Sequence, residues 1–220
     1  MADCPRNPPI TSPPIRLAVC VSGGGTTLQN LIDLIGADKL DATISQVIAS
    51  RPKIGAITRA EAAQIPVALA TRGKSQSLAT FSASVFDPIR ESKADLVILA
   101  GFLSLVEIPA DYTGRVINIH PSLIPAFCGK GFHGASVHQA VVEAGAKVTG
   151  CTVHFADMTY DTGPIILQQT VPVLDDDTPE TVAARVFEAE CQALPKAIAL
   201  YAAGRLKVEG RRVRTLGQAE

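Results

Sequence analysis

An apolar run that leads directly into three glycines is the feature that most constrains the fold of this chain. Residues 16–21 are largely apolar, as in a strand that is buried on both faces. Gly23–Gly25 follow, and Leu28 and Leu31 then recur at helical spacing. The pattern predicts a strand, a tight turn and a helix, which together open a parallel α/β sheet.

The same alternation continues through the first half of the chain. Further strands are predicted over 42–49, 66–69, 95–100 and 115–119, and further helices over 53–64 and 75–92. Pro88 marks a candidate break in the second of these helices, because an internal proline removes a backbone N–H group. Strands that alternate with helices predict a parallel sheet with right-handed crossovers.

The second half of the chain follows a different pattern. A helix over 136–143 precedes two strands, over 148–155 and 165–173, which are predicted to pair antiparallel. Thr178 is a candidate N-cap for a long amphipathic helix, and a small hairpin is predicted after it. The predicted fold class is therefore α/β: a Rossmann-like, mostly parallel twisted sheet with helices on both faces, extended by antiparallel strands in the C-terminal half.

The composition narrows the class of protein. The 220 residues carry a net charge of −1, which does not favour nucleic acid as a partner. Five scattered cysteines without a CxxC pair indicate neither a disulfide framework nor a zinc site, and they favour a reducing, cytoplasmic environment. No apolar run is long enough to span a membrane. Residues 1–14 hold five prolines and are predicted to be a flexible tail, with one domain over 15–220.

The glycine-rich turn has the composition of a phosphate site. Its glycines let the backbone approach a ligand, and Thr26 and Thr27 open a helix whose free N–H groups favour an anion. The spacing matches neither of the common nucleotide motifs GxGxxG and GxxxxGK[ST], and no lysine stands where a triphosphate loop needs one. The alternative is a simple strand-to-helix turn, although three glycines exceed what such a turn needs.

Two polar residues end the predicted strand over 115–119. Asn118 and His120 are two positions apart and therefore share a face, and Pro121 stops the strand. Ligands bind at the carboxyl ends of strands in open α/β sheets. An amide donor beside an imidazole suggests chemistry at a carbonyl group. Taken alone, each residue is slightly better explained by a structural role.

A carboxylate in the turn between the two antiparallel strands could complete this site. Asp161 would stabilise a charged His120 if the two were close. That turn could equally be only a connector. His154 is flanked by apolar residues and is interpreted as structural, as are His133 and His138. No histidine pair has metal-ligand spacing, so no metal is expected.

Four sequence blocks resemble the glycinamide ribonucleotide formyltransferases, the folate-dependent enzymes of purine biosynthesis. The blocks are Val21–Leu31, Leu99–Leu103, Asn118–Pro125 and Gly150–Gln168. Their order and approximate spacing agree with that family over residues 16–208.

The resemblance implies a reaction and its partners. It implies transfer of the formyl group of 10-formyltetrahydrofolate, the co-substrate, to the amine of N1-(5-phosphoribosyl)glycinamide, which gives formylglycinamide ribonucleotide and tetrahydrofolate. The implied partners are these small molecules, with no metal, no nucleic acid and no membrane. We expect a monomer or a weak homodimer. The N-terminal half would bind the ribonucleotide phosphate, and the C-terminal half would bind folate and carry the catalytic residues.

The resemblance also implies roles for individual residues. The residues that match the catalytic trio of the family are Asn118, His120 and Asp161. Those that match ribonucleotide-binding positions are Gly25, Thr26, Thr27, Phe187 and Glu190. Those that match the folate pocket are Leu103, Ser104, Leu105, Val106, Asp157 and Tyr160, together with Asn118 and Asp161.

The chain departs from the familiar family pattern in three places. Thr27 stands where an amide is usual in the phosphate loop. The segment 127–134 is longer than its common form by several residues and changes one rim of the expected pocket. An arginine that contacts the acidic tail of folate in some members has no clear match, since Leu78 lies nearest, with Arg72 and Lys74 close by.

Four other functions are alternatives. A hydrolase would give the formyl group to water, but such relatives usually carry an extra amino-terminal domain. Formylation of methionyl-tRNA needs an additional basic carboxyl-terminal domain. Formylation of an amino sugar is disfavoured by the phosphate loop. A module that only senses a phosphorylated ligand would not need Asn118, His120 and Asp161 together.

Overall fold

The computed structural model describes residues 13–217. The chain divides into two compact units, with the division between Ile117 and Asn118. The predicted tail over 1–14 lies outside the described residues except for its last two positions. The assignment of one domain to 15–220 stays a prediction. None of the helices within 13–217 is long and apolar enough to cross a membrane.

The first unit is built on a parallel sheet in the order β3-β2-β1-β4. Its strands are β1 (Ile15–Val21), β2 (Ala42–Ala49), β3 (Val67–Leu69) and β4 (Leu96–Leu99). Its helices are α1 (Thr26–Gly36), α2 (Gly55–Ala62) and α3 (Leu78–Glu91). Strand β1 pairs with β2 on one side and β4 on the other. The apolar run over 17–21 is therefore fully buried, as its composition predicts.

Helix α3 continues through Pro88 without the break that the sequence allowed. Ser77 caps its first turn by accepting a hydrogen bond from the Thr80 backbone N–H. The helix buries an apolar face that includes Phe81, Val85 and Ile89, each fully buried. Burial of these side chains outweighs the hydrogen bond that the proline removes.

The second unit combines antiparallel and parallel pairings. Strand β5 (Val116–His120) contains the point of division and ends in this unit. The later strands are β6 (Val148–Phe155), β7 (Ile165–Pro172), β8 (Leu206–Glu209) and β9 (Arg212–Thr215), in the order β6-β7-β9-β8. The pairs β6–β7 and β8–β9 are antiparallel, as predicted, whereas β7 and β9 are parallel.

Two helices accompany these strands, α4 (Ala135–Glu143) and α5 (Pro179–Ala202). The predicted N-cap of α5 is confirmed, since the Thr178 side chain accepts from the Thr181 N–H and the Thr181 hydroxyl accepts from the Thr178 N–H. Helix α5 packs on β6, β7 and α4 through a face of buried small and aliphatic side chains. The α/β class, with parallel strands first and antiparallel strands added later, is confirmed.

Candidate active site

The end of strand β5 and the turn after β6 bring the predicted trio together within the second unit. The His120 Nδ1 atom lies 3.6 Å from Asp161 Oδ1, and the Asn118 amide nitrogen donates to the same oxygen at 3.3 Å. The side chains of His120 and Asp161 are only 5% and 9% exposed. The sequence predicted the two strand-end residues on one face, and the structure shows that Asp161 reaches both.

His154 also belongs to this cluster, although the sequence indicated a structural role. Its Nδ1 atom lies 2.9 Å from the Phe155 carbonyl oxygen. A carbonyl only accepts, so Nδ1 carries the proton, and Nε2 of the neutral ring is an acceptor. The Asn118 amide donates to that Nε2 atom at 3.0 Å. His154 therefore orients the Asn118 amide.

The segment after Pro125 provides backbone partners for the same cluster. The His120 Nε2–H group donates to the Phe127 carbonyl oxygen at 2.9 Å, and the Gly129 N–H donates to Asp161 Oδ2 at 2.8 Å. Phe127 has a φ of 49°, a left-handed conformation that costs a bulky residue about 1–2 kcal/mol. The longer loop that the sequence left unexplained thus contacts two members of the trio directly.

Buried hydroxyl groups fix the start of this segment. Ser122 is fully buried and donates to the Ala126 carbonyl at 2.6 Å. The Thr152 hydroxyl on β6 donates to the Ser122 carbonyl and accepts from the Ile124 N–H. Because these groups are inaccessible to water, their mutual hydrogen bonds hold the segment in one conformation.

The turn between β6 and β7 places Asp161 through its own local contacts. The Asp157 carboxylate accepts from the Thr159 N–H at 2.9 Å and from the Thr162 hydroxyl at 2.8 Å. A Cβ atom on Gly163 would lie 1.7 Å from the Phe155 carbonyl oxygen, so this position requires glycine. Asp161 itself has a φ of 57°, and such strain is typical of functional sites.

The pKa values of the trio reflect burial and mutual charge. Burial lowers the pKa of His120, and the Asp161 charge and the Phe127 carbonyl only partly oppose that effect. Burial raises the pKa of Asp161, but the His120 imidazole and the hydrogen bond from the Gly129 N–H oppose this effect, and the pKa is lowered overall. Asp161 is therefore ionised at neutral pH, and it faces an imidazole that can accept a proton when negative charge develops nearby.

The distances divide the cluster into tight and loose contacts. The contacts that orient Asn118, His120 and Asp161 are short: 3.0 Å to His154, 2.9 Å to Phe127 and 2.8 Å from Gly129. The contacts from Asn118 and His120 to Asp161 Oδ1 are longer, at 3.3 and 3.6 Å. The Asn118 amide is thus held in place but weakly engaged with Asp161, and His120 becomes a second donor when it takes up a proton at Nδ1, which suits stabilisation of an oxyanion.

The glycine-rich turn lies in the first unit. Gly25 is the N-cap of α1 and has a φ of 75°, and no acidic side chain lies in the first helical turn. Thr26 is exposed and Thr27 is half-buried. This end of α1 has no side-chain cap, so its N–H groups are available to an anion.

The predicted folate-wall segment lies in the same unit as the glycine-rich turn. The Leu103 N–H donates to the buried Ser22 hydroxyl at 3.0 Å, and Ser50 donates to the same oxygen at 2.6 Å. Val106 is buried, whereas Ser104 and Leu105 are half-buried. Ser22 therefore fixes the start of this segment beside the first glycine of the turn.

The remaining predicted residues lie in the second unit. Phe187 and Glu190 are half-buried on α5, and burial raises the pKa of the Glu190 carboxyl to about 7. Tyr160 is half-buried in the turn that carries Asp161. His133 is exposed, whereas His138 is buried with its Nδ1 atom unpartnered among the described residues. Burial and the nearby His120 lower the pKa of His138.

Within residues 13–217, no group of three or more histidine, cysteine, aspartate or glutamate side chains has the geometry of a metal site. The cluster instead combines an amide donor, an imidazole and an ionised carboxylate in a protected position. Such a set can stabilise a tetrahedral oxyanion and assist proton transfer. This combination of groups is of the kind that acyl transfer at a carbonyl carbon requires.

Comparison with known proteins assigns the class. The chain belongs to the formyl transferase family, whose sequence pattern it matches over residues 15–198. The solved structure of glycinamide ribonucleotide transformylase 1 from Symbiobacterium toebii is similar, with a TM-score of 0.84 and 39% identity over 92% of this chain and 94% of that chain. The family resemblance that the four sequence blocks indicated is therefore confirmed.

Two curated relatives are named as phosphoribosylglycinamide formyltransferases. The chloroplastic phosphoribosylglycinamide formyltransferase of Vigna unguiculata is 39% identical over 80% of this chain, which spans 57% of that relative's length. The phosphoribosylglycinamide formyltransferase of Haemophilus influenzae is 34% identical over 88% of this chain and 90% of its own length.

Proposed function

We propose that this chain transfers the formyl group of 10-formyltetrahydrofolate to the amine of N1-(5-phosphoribosyl)glycinamide. The observation that carries the proposal is the buried cluster of Asn118, His120 and Asp161. Membership in the formyl transferase family supports formyl as the acyl group, and the names of the relatives support this acceptor.

The proposed reaction begins with attack of the acceptor amine on the formyl carbon. A carbon–nitrogen bond forms, and the formyl oxygen becomes an oxyanion. The Asn118 amide would donate to that oxygen in place of its long contact to Asp161, and His120 would donate from Nδ1 in the form that carries a proton on each ring nitrogen. His120 has a lowered pKa in the free protein, and the developing negative charge would raise it.

Collapse of the intermediate breaks the bond between the formyl carbon and the folate nitrogen. The proton lost by the attacking amine must end on that leaving nitrogen. Asp161, ionised and next to His120, would accept or relay this proton directly or through water. The products are formylglycinamide ribonucleotide and tetrahydrofolate, with no proton gained or lost overall.

The binding roles are proposals drawn from the family resemblance. Gly25, Thr26 and Thr27 would bind the ribonucleotide phosphate through backbone N–H groups and hydroxyls. Phe187 and Glu190 would contact the rest of the ribonucleotide. The folate would contact 103–106 and the turn over 157–161, where the Asp157 carboxylate is already occupied by local hydrogen bonds, so backbone groups would make the contact.

An acceptor panel tests this function. The purified protein is incubated with 10-formyltetrahydrofolate and, in separate reactions, the glycinamide ribonucleotide, an amino sugar nucleotide, methionyl-tRNA or buffer alone. We expect an absorbance rise from tetrahydrofolate release only with the ribonucleotide, with one formylated product per folate. Release in buffer alone would instead indicate a hydrolase, and transfer to another acceptor would also contradict the proposal.

A further inference from the structure

Helix α2 packs directly against the glycine-rich turn in the first unit. The Ala56 N–H donates to the Gly23 carbonyl at 3.2 Å. A Cβ atom added to Gly25 would lie 2.6 Å from the Ala56 Cβ atom, and one added to Gly55 would lie 3.1 Å from the Gly24 carbonyl oxygen. The first turn of α2 is therefore in van der Waals contact with the turn that opens α1.

Arg59, one helical turn further along α2, connects two parts of this region. Its Nε–H group donates to the Gly24 carbonyl at 2.9 Å, and Nη1 donates to the Gln29 side-chain oxygen at 3.1 Å. The Gln29 amide nitrogen in turn donates to Asp33 at 2.8 Å. One planar guanidinium thus fixes a carbonyl of the turn relative to the start of α1.

Among the described residues, no carboxylate balances the charge of Arg59. The residue is half-buried, and no carboxylate among residues 13–217 lies within ion-pair distance of it. It also lies against the N-terminal end of α1, where the helix dipole is positive and no acidic side chain occupies the first turn. The guanidinium charge and the positive end of the helix dipole together favour binding of an anionic ligand.

Part of the guanidinium is also available for a ligand. An arginine has five N–H donors, and in the described chain Arg59 uses its Nε–H and one Nη1–H group. A cation that holds a glycine turn and keeps spare donors is well suited to a phosphate dianion.

We propose that Arg59 is a positioning residue for phosphate binding at the Gly25–Thr27 turn. It would hold the Gly24 carbonyl so that the following N–H groups face the anion, and its charge would add to their attraction. The inference rests on the proposed function, in which this turn binds the ribonucleotide phosphate. It adds a residue from α2 that no sequence motif indicated.

Binding and turnover measurements on matched variants test this inference. Arg59→Gln removes the charge and the bridge, Arg59→Lys keeps the charge but cannot hold both oxygens, and Lys39→Gln removes an exposed charge at the other end of α1. Ribose 5-phosphate is the probe for binding by calorimetry, with ribose as the unphosphorylated control. Thermal unfolding verifies that each variant is folded.

For Arg59→Gln we expect the Kd for ribose 5-phosphate and the KM for the ribonucleotide to rise about 10-fold, with kcat within twofold of wild type. The Kd and KM of Arg59→Lys should lie between those of wild type and Arg59→Gln, and those of Lys39→Gln should match wild type. The KM for folate should not change, since a general loss of structure would raise both KM values. Arg59→Lys provides the test if the glutamine variant does not fold.

Three results with the variants would overturn the inference. They are an unchanged Kd in Arg59→Gln, an equal loss of affinity in Lys39→Gln, and a fall in the kcat of Arg59→Gln without a change in its KM. Wild-type protein that transfers formyl but does not bind ribose 5-phosphate would overturn the inference alone. Wild-type protein that binds ribose 5-phosphate in an Arg59-dependent way but forms no formylated product would overturn the proposed function and leave Arg59's phosphate role supported.

Discussion

The glycine-rich turn and the polar cluster present hydrogen-bond donors in two different ways. The turn uses backbone N–H groups, and its contacts depend on the absence of side chains, as the close approach of Gly25 to Ala56 shows. The cluster uses buried side chains that hold one another in place. A turn that presents backbone N–H groups should tolerate changes in side-chain identity but not in size, whereas a cluster built from side chains depends on their identity.

The two regions should therefore fail differently when they are altered. Loss of a side chain from the cluster should reduce the rate of the chemical step. An added methyl group in the turn should reduce affinity.

The largest effect is expected for His120→Ala. Removal of one oxyanion donor commonly lowers kcat by about 10²–10³-fold, or about 2.7–4 kcal/mol of transition-state stabilisation. Steady-state kinetics should show this loss, while calorimetry should show a ribonucleotide Kd within about threefold of wild type. His133→Ala, which removes an exposed imidazole from the adjacent loop, is the control and should keep normal kcat.

Gly25→Ala should affect binding rather than rate. The residue has a φ of 75° and no room for a Cβ atom, so alanine should cost about 1–2 kcal/mol of folding free energy. The KM for the ribonucleotide should rise about 10-fold, the equivalent of about 1.4 kcal/mol, with little change in kcat.

Gly36→Ala is the matched control for that substitution. Gly36 ends the same helix, and nothing lies within 4 Å of an added Cβ atom. Alanine there should stabilise the protein by up to about 0.5–1 kcal/mol, as expected for helical glycines. Similar kinetic losses in both variants would contradict the role given to the turn.

A smaller loss is expected for His154→Phe. Phenylalanine keeps the ring volume but removes the acceptor that orients the Asn118 amide, a hydrogen bond worth about 1 kcal/mol. Because 1.4 kcal/mol corresponds to about tenfold in rate, kcat should fall about 5- to 10-fold. His154→Gln retains an acceptor and should lose less. An unchanged kcat in His154→Phe would show that the amide is oriented by other contacts.

The smallest effect concerns the pH dependence of stability through Glu190. Its folded-state pKa is raised from 4.5 to about 7. Between these two pH values the folded protein therefore holds a proton that the unfolded chain has released. The carboxyl therefore stabilises the fold fully below its unfolded pKa, and this contribution is lost as pH rises through about 7. Glu190→Gln removes that dependence.

Urea unfolding at pH 5 and pH 8 measures the Glu190 contribution. The difference in unfolding free energy, Gln variant minus wild type, should be more positive at pH 8. Full conversion of the shift would give about 3 kcal/mol, and partial solvent exposure of the side chain reduces this to about 1 kcal/mol. A difference that is the same at both pH values would contradict burial of this carboxyl.

Much of the cluster could be predicted from the sequence because the geometry of a β-strand determines which residues share a face. Asn118 and His120 share a face at a strand end marked by proline, and Asp161 lies in the turn between the two predicted antiparallel strands. The apolar sequence neighbours of His154 indicate only a structural role. Its position as the second-last residue of β6 was the available signal, since ligands meet the ends of strands.

Other contacts of the two regions could not be predicted from the identity of the residues that make them. The Phe127 carbonyl and the Gly129 N–H contact the trio through the backbone, which every residue possesses. Arg59 reaches the glycine-rich turn from a helix about 35 residues away in sequence. Pro88 did not break its helix because tertiary packing outweighed local preference. The strand and helix pattern alone could not reveal these long-range contacts.

The most direct test of the division between binding and chemistry is the double variant His120→Ala/Gly25→Ala. Its kcat and ribonucleotide KM are measured beside those of the two single variants. We expect the kcat of the His120 variant together with the KM of the Gly25 variant, with free-energy effects that add within about 0.5 kcal/mol. A Gly25→Ala variant that loses as much kcat as His120→Ala, or a His120→Ala variant with near-normal kcat, would contradict it.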